Sequence, residues 1–126
     1  MKAMATLIVD GANVVGSRPD GWWRDRPGAA ARLHARLVAA DLPYAEVVLV
    51  LEGKARAGVP EGREGSVRTV HAPADGDTTI AALTETGTDP PVTVVTADRG
   101  LAARVTAAGG EVIGPGRLLA DLSEPS

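Results

Sequence analysis

The sequence predicts an α/β fold: one open parallel sheet with helices on both faces. Three observations carry that expectation. The first is the apolar run Thr6-Leu7-Ile8-Val9, which stops at Asp10 and continues as Gly11-Ala12-Asn13. A run that is apolar at consecutive rather than alternate positions reads as a parallel strand buried on both faces. The second is another stretch of the same build, Val92-Thr93-Val94-Val95-Thr96-Ala97, which ends at Asp98 and is followed by Arg99-Gly100 and a helical pattern. The third is the alternation of strand-like and helix-like segments along the chain, which implies right-handed crossovers between parallel strands.

Length and composition set the limits. A chain of 126 residues fits one domain and can remove roughly two-thirds of its unfolded surface from water. With no Phe, one Tyr and two Trp, the core has to be Val, Leu, Ile and Ala. Thirteen Lys and Arg against 16 Asp and Glu give a net charge of −3, which excludes a global basic field for nucleic acid. A polyanion would need a local patch or a metal. The absence of Cys excludes disulfides and thiolate metal sites, and two His are too few for a typical zinc cage. Met1-Lys2-Ala3-Met4-Ala5 enters the first strand directly, too short an apolar stretch for a signal peptide or membrane span, so the expected location is cytoplasmic and no membrane is involved.

Each element can be justified in order. Val14 to Arg26 is a long polar connection without helix or strand pattern, holding Gly16, Pro19, Gly21 and the pair Trp22-Trp23. Connections of this length are often functional. Pro27 suits the first turn of a helix, whose Ala30, Leu33, Leu37 and Ala40 recur on one face until Asp41-Leu42-Pro43 ends it. Ala45-Glu46-Val47-Val48-Leu49-Val50-Leu51 is the second buried strand and stops at Glu52-Gly53. Lys54 to Ser66, with glycines, a proline and charges of both signs, reads as an exposed loop. Val67-Arg68-Thr69-Val70-His71 is a shorter third strand, and Ala72-Pro73-Ala74-Asp75-Gly76 is the turn after it. Asp77 then caps a helix with Ile80 and Leu83 inward that fades at Gly87, and Asp89-Pro90-Pro91 leads into the fourth strand. The next helix carries Leu101, Ala102, Val105 and Ala108 inward and stops at Gly109-Gly110. Glu111-Val112-Ile113 is a brief last strand and Leu118 to Leu122 a closing helical turn. Residues 1–122 form the domain and 123–126 a short tail.

An open sheet that starts in the middle, winds outward and then returns to the other side has strand order 3-2-1-4-5. The reversal falls between strands one and four, so Asp10 and Asp98 meet at the carboxyl ends where such sheets place ligands. Glu52 lies one strand away, about 5 Å in the sheet direction, and the helix opening at Asp77 leans over the same crevice. Two unit charges roughly 5 Å apart repel by about 3 kcal/mol at an effective dielectric near 20. Protons, basic side chains or a hard divalent cation must neutralise such a cluster, and Mg²⁺ or Mn²⁺ suits ligands that are all oxygen. The competing reading is that each Asp merely caps the helix after it, and Asp77 and Asp98 both stand where a cap would.

Four stretches together resemble the NYN-domain ribonucleases of the PIN-like nuclease superfamily. They are Leu7-Ile8-Val9-Asp10-Gly11-Ala12-Asn13-Val14, Asp20-Gly21-Trp22-Trp23-Arg24-Asp25, Gly76-Asp77-Thr78-Thr79-Ile80 and Val95-Thr96-Ala97-Asp98-Arg99-Gly100-Leu101. The resemblance covers nearly the whole chain. It implies a PIN-like fold and a metal-dependent endoribonuclease in which aspartates hold Mg²⁺ or Mn²⁺ that activates water against an RNA phosphodiester. Asp10, Asp77 and Asp98 match the acidic positions, and Asn13 matches an Asn that orients or supplements the first. Relatives often have Gly-Asp-Asp where this chain has Gly76-Asp77-Thr78, and Asp75 is the residue that could make up the missing carboxylate as a metal ligand.

Arg18, Arg24 and Arg26 in one connection, and Lys54, Arg56 and Arg63 in another, are candidates to grip RNA phosphates on this rim, or else a solvated surface. Arg99 could contact a phosphate or pair with Asp98. Trp22 and Trp23 could stack on unpaired bases, although one is expected to pack beneath its loop. His34 and His71 read as structural. The partner implied is RNA, single-stranded or structured, with a homodimer left open. Two other classes fit the same residues. One is a non-catalytic module that binds RNA or protein, motivated by Thr78 and the acidic balance. The other is a Mg-dependent nucleotide pyrophosphohydrolase or phosphatase, against which Asp10-Gly11-Ala12 lacks the second carboxylate of an Asp-x-Asp motif.

Overall fold

The computed structural model of the chain describes residues 5–18, 20–85 and 92–123. The expectations for Met1-Lys2-Ala3-Met4, Pro19, Gly87, Asp89-Pro90-Pro91 and residues 124–126 lie outside them. The strands are β1 (Thr6–Asp10), β2 (Glu46–Leu51), β3 (Gly62–Glu64), β4 (Val67–His71), β5 (Thr93–Val95) and β6 (Glu111–Ile113). The helices are α1 (Gly11–Gly16), α2 (Arg26–Ala39), α3 (Gly76–Glu85), α4 (Arg99–Ala107) and α5 (Pro115–Ser123). Two 3-10 segments, Trp22–Arg24 and Gly53–Gly58, occupy the connections after α1 and β2.

The strands lie in the order β3-β4-β2-β1-β5-β6. Every neighbouring pair is parallel except β3 and β4. The strands read from the apolar runs thus take the expected order, with Val9 of β1 opposite Val95 of β5. Strand β3 is the addition. Its exposed Gly62-Arg63-Glu64 carries no apolar pattern, so the segment read as an exposed loop. It becomes a strand by pairing antiparallel with β4, which shields that edge of the sheet with charged residues.

Successive residues of a strand point to opposite faces, and the sheet has a core on each. Leu7, Val9, Leu49 and Leu51 pack with Val14 of α1, Leu33 and Leu37 of α2 and Leu118 of α5. Ile8, Val48, Val50 and Val94 pack with Ile80 of α3 and Leu101 and Val105 of α4. Replacing a fully buried Leu of this kind by Ala costs about 2–5 kcal/mol. The connection from Val14 to Arg26 is shorter than its composition implied, because α1 runs to Gly16 and a 3-10 turn holds the tryptophans. Helix α2 begins where Pro27 placed it, with the Asp25 carboxylate accepting the Gly28 N–H at 2.9 Å. Ala108, expected inward, is exposed because α4 ends at Ala107. Among the described residues no helix is long and apolar enough to cross a membrane.

Candidate functional site

Where β1 becomes α1, Asp10 is 3% exposed and caps the helix, its Oδ1 accepting the Asn13 N–H at 3.4 Å. Helix α1 starts so abruptly because residue 11 is Gly. A Cβ there would lie 2.7 Å from the Val50 carbonyl oxygen of β2. The other Asp10 oxygen accepts the Thr96 hydroxyl at 2.9 Å, and that hydroxyl oxygen accepts the Asp98 N–H at 3.1 Å. Asn13 Oδ1 accepts the Ala97 N–H at 2.9 Å, so the chain turns after β1 and β5 are bonded to each other twice. Asp98 Oδ1 accepts the Leu101 N–H at 2.9 Å and caps α4.

The third segment enters two residues earlier than the sequence indicated. Helix α3 starts at Gly76, and Asp75, not Asp77, caps it by accepting the Thr78 N–H at 2.7 Å. A Cβ on Gly76 would stand 3.1 Å from Glu52 Oε1, so the missing side chain lets the helix start tight against the end of β2. Asp77 is thereby freed from capping and sits half-buried in the first turn.

The carboxylates share one electrostatic environment. Burial pushes the Asp10 carboxyl above the usual range, and the charges of Asp77 and Glu52 push the same way against the hydrogen bonds from Thr96 and Asn13. Asp77 is also raised, by burial first and then by the charges of Asp98, Asp75 and Glu52, with Arg104 opposing. Exposed Asp75 is lowered by the hydrogen bonds from Thr78, with Arg104 adding to them. Asp10 thus lies in the field of Asp77, and Asp77 in the fields of Asp98 and Asp75.

Among the described residues no three acidic or histidine side chains converge as a ready-made metal cage. Such a cage is what Ca²⁺ or structural Zn²⁺ needs, whereas Mg²⁺ is usually held by one or two carboxylates and keeps several waters. The donor set, all carboxylate oxygen and mutually repelling, fits that open kind of site.

Two contributors, Thr96 and Arg104, escaped the sequence candidates, while Glu52 did not. Thr96 looks like strand filler, and only its place two residues before Asp98 at a strand end hints at a role. Glu52 was placed near the rim but joins the cluster through its contact with the first turn of α3. Arg104 acts across the packing of α3 against α4, which has no local signature.

The basic candidates divide. Lys54 and Arg56 lie in the 3-10 segment on the same rim, where Arg56 donates to the Gly53 carbonyl at 3.0 Å and the Ala72 carbonyl at 3.4 Å, tying the ends of β2 and β4 together. Arg99 is exposed in the first turn of α4. Arg18 follows the far end of α1, on the wall of a cavity of about 270 Å³ shared with Arg32 and Leu33. Arg24 lies over the Trp23 ring at 5.9 Å. Arg63 leaves the set: it pairs with Glu46, at the amino end of β2 and so at the opposite rim. His71 is structural, its Nε2 bonded to the Val59 carbonyl at 2.7 Å.

Two measurements probe this geometry. Thr96→Val keeps the shape but removes a hydrogen bond to a buried carboxylate, so it should cost about 2 kcal/mol. The loss should show in thermal melts at neutral pH and shrink at acid pH, where Asp10 is protonated. Asp10→Asn should act the other way in metal-free protein. A carboxyl harder to ionise in the folded state contributes most stability below its ordinary pKa and loses it as pH rises through the raised value. The Asn variant should therefore melt a few degrees higher at neutral pH, and the gain should vanish at acid pH.

No family model and no curated protein matches the chain. Among solved structures, a variant of Rae1 (YacP) from Bacillus subtilis is similar with a TM-score of 0.70 at 17% identity, over 94% of this chain and 75% of that one. Parallel β1, β2, β4, β5 and β6 between two helical layers, together with this likeness, give the chain a PIN-like α/β fold.

Proposed function

We propose that the chain is a metal-dependent endoribonuclease that hydrolyses RNA phosphodiester bonds at the carboxylate rim, with Mg²⁺ or Mn²⁺ as cofactor. One observation carries this reading: acidic side chains from the ends of β1 and β5, the first turn of α3 and the end of β2 share one rim, where, beyond burial, the charges of Asp77 and Glu52 raise the pKa of Asp10 and those of Asp98 and Glu52 raise that of Asp77. The positions on β1, β5 and α3 coincide with the motifs that resemble NYN-domain ribonucleases, and the PIN-like fold supports the same reading.

Asp10, Asp77 and Asp98 would hold the ion, directly or through its waters, with Asp75 and Glu52 at its margin. When bound, Mg²⁺ or Mn²⁺ supplies Lewis acidity toward a phosphate oxygen and lowers the pKa of water. The chain's own residues do the positioning. Thr96 fixes one Asp10 oxygen and the Asp98 backbone in a single network. Asn13 locks the two strand ends together through its carbonyl oxygen and keeps its NH₂ as a donor. Arg99 and Lys54 put exposed positive charge on segments flanking the acids.

The test is incubation of the protein with labelled single-stranded and structured RNA, with Mn²⁺ or with chelator. Weak cleavage that needs Mn²⁺ is expected, together with a metal-dependent rise in Tm, since a ligand bound only by the folded state stabilises it. Thr78→Asp should increase both metal affinity and cleavage by restoring a carboxylate beside Asp77. A second reading, an RNA-binding module that does not cut, is favoured by the Thr78 side chain being engaged with Asp75. RNA retained with salt-dependent affinity but uncut by wild type and Thr78→Asp at saturating Mn²⁺ would establish that reading instead.

A further inference from the structure

Beside the carboxylates, a cavity of about 210 Å³ opens between the start of α1 and the 3-10 segment after β2. Gly11, Trp22, Arg26, Glu52 and Ala55 are among its walls. Gly11 directly follows Asp10, and Glu52, whose charge acts on Asp10 and Asp77, belongs to both cavity and cluster. The two sites are therefore contiguous. Trp22 is half-buried and held edge-on by Trp23, with ring centroids 6.1 Å apart and planes at 87°. The Arg26 guanidinium lies over the Trp22 ring at 5.3 Å. Trp23 is 54% exposed and does not line the cavity.

We propose that this slot takes the unpaired base of a nucleotide next to the scissile phosphate, stacked on Trp22; the proposal rests on the ribonuclease reading above. An indole wall accepts the π-face of any base, and the Arg26 guanidinium that covers the ring in the free protein moves out to the far face of the base as it enters. Arg26 also brings positive charge beside the acids, where a phosphate must approach. The Glu52 carboxylate offers only acceptors, so it faces the N–H groups on the base edge. A paired base has its edge and both faces occupied, which directs the slot to single strands. Trp23, despite its exposure, is the buttress that sets the angle of Trp22.

The experiment is a fluorescence-anisotropy titration of a labelled single-stranded RNA with the full chain in chelator, so that nothing is cut. Trp22→Ala should weaken binding about tenfold, Trp22→Phe should keep most of the affinity, and Trp23→Phe should change it little. In a set of RNAs each carrying one abasic nucleotide, one position should weaken wild-type binding about as much, and on that RNA Trp22→Ala should have no further effect. The abasic series on wild type stands even if Trp22→Ala fails to fold. Equal binding of all abasic RNAs, or the same Trp22→Ala loss on every one of them, overturns the slot. Cleavage with Mn²⁺ alongside either result leaves the nuclease reading intact, whereas a base-dependent slot without cleavage removes that reading and keeps the slot.

Discussion

Asp98→Asn should lower RNA cleavage about a thousandfold or more while leaving the fold intact. The carboxylate oxygen that accepts the Leu101 N–H is replaced by an amide oxygen that can do the same, and Asn caps helices as well as Asp does. What disappears is the charge. A bound cation contributes several kcal/mol of transition-state stabilisation, and each 1.36 kcal/mol is about tenfold in rate. Initial rates on labelled RNA at saturating Mn²⁺, with melts as the control for folding, check this outcome. Wild-type activity in a folded Asp98→Asn protein would remove Asp98 from the site. Asp10→Asn should match it in activity but not in stability, since neutralising Asp10 relieves a buried charge. A variant that is more stable and less active marks a residue kept for function at a stability cost.

Gly58→Ala should destabilise the fold by about 3 kcal/mol and lower Tm by about 10 °C. A Cβ on Gly58 would stand 2.0 Å from the Pro27 carbonyl oxygen, so backbone would have to move from backbone at the first turn of α2. No flexible side chain is available to yield. The same 3-10 segment carries Ala55 on the wall of the Trp22 slot, so RNA affinity should fall in chelator as well. Gly116→Ala is the control. Nothing lies within 4 Å of its Cβ position, and Ala in a helix should be neutral or stabilising by about 0.5 kcal/mol. Paired denaturant melts of the two variants measure the contrast.

The sequence alone determined the five parallel strands and their order, and with it the placing of Asp10 and Asp98 at the ends of neighbouring strands. These follow from local pattern: an apolar run marks a buried strand, a carboxylate ends it, and the rules for crossovers place first and fourth strands side by side. Helix α2 was equally legible because Pro27 acts on its own neighbours. Tertiary structure alone decided the rest. Thr96 reaches Asp10 across 86 residues of sequence, and nothing near either residue records the bond. Asp75 rather than Asp77 became the cap because Gly76 could press against Glu52, a contact made only once α3 lies on the end of β2. Arg63 left the rim because β3 formed on the edge of β4 and carried it toward Glu46. The slot between Gly11, Trp22 and Glu52 exists only where three connections converge. Local pattern fixes what a segment becomes and roughly where it goes, while the partner of a polar side chain depends on distances that only the packed chain sets.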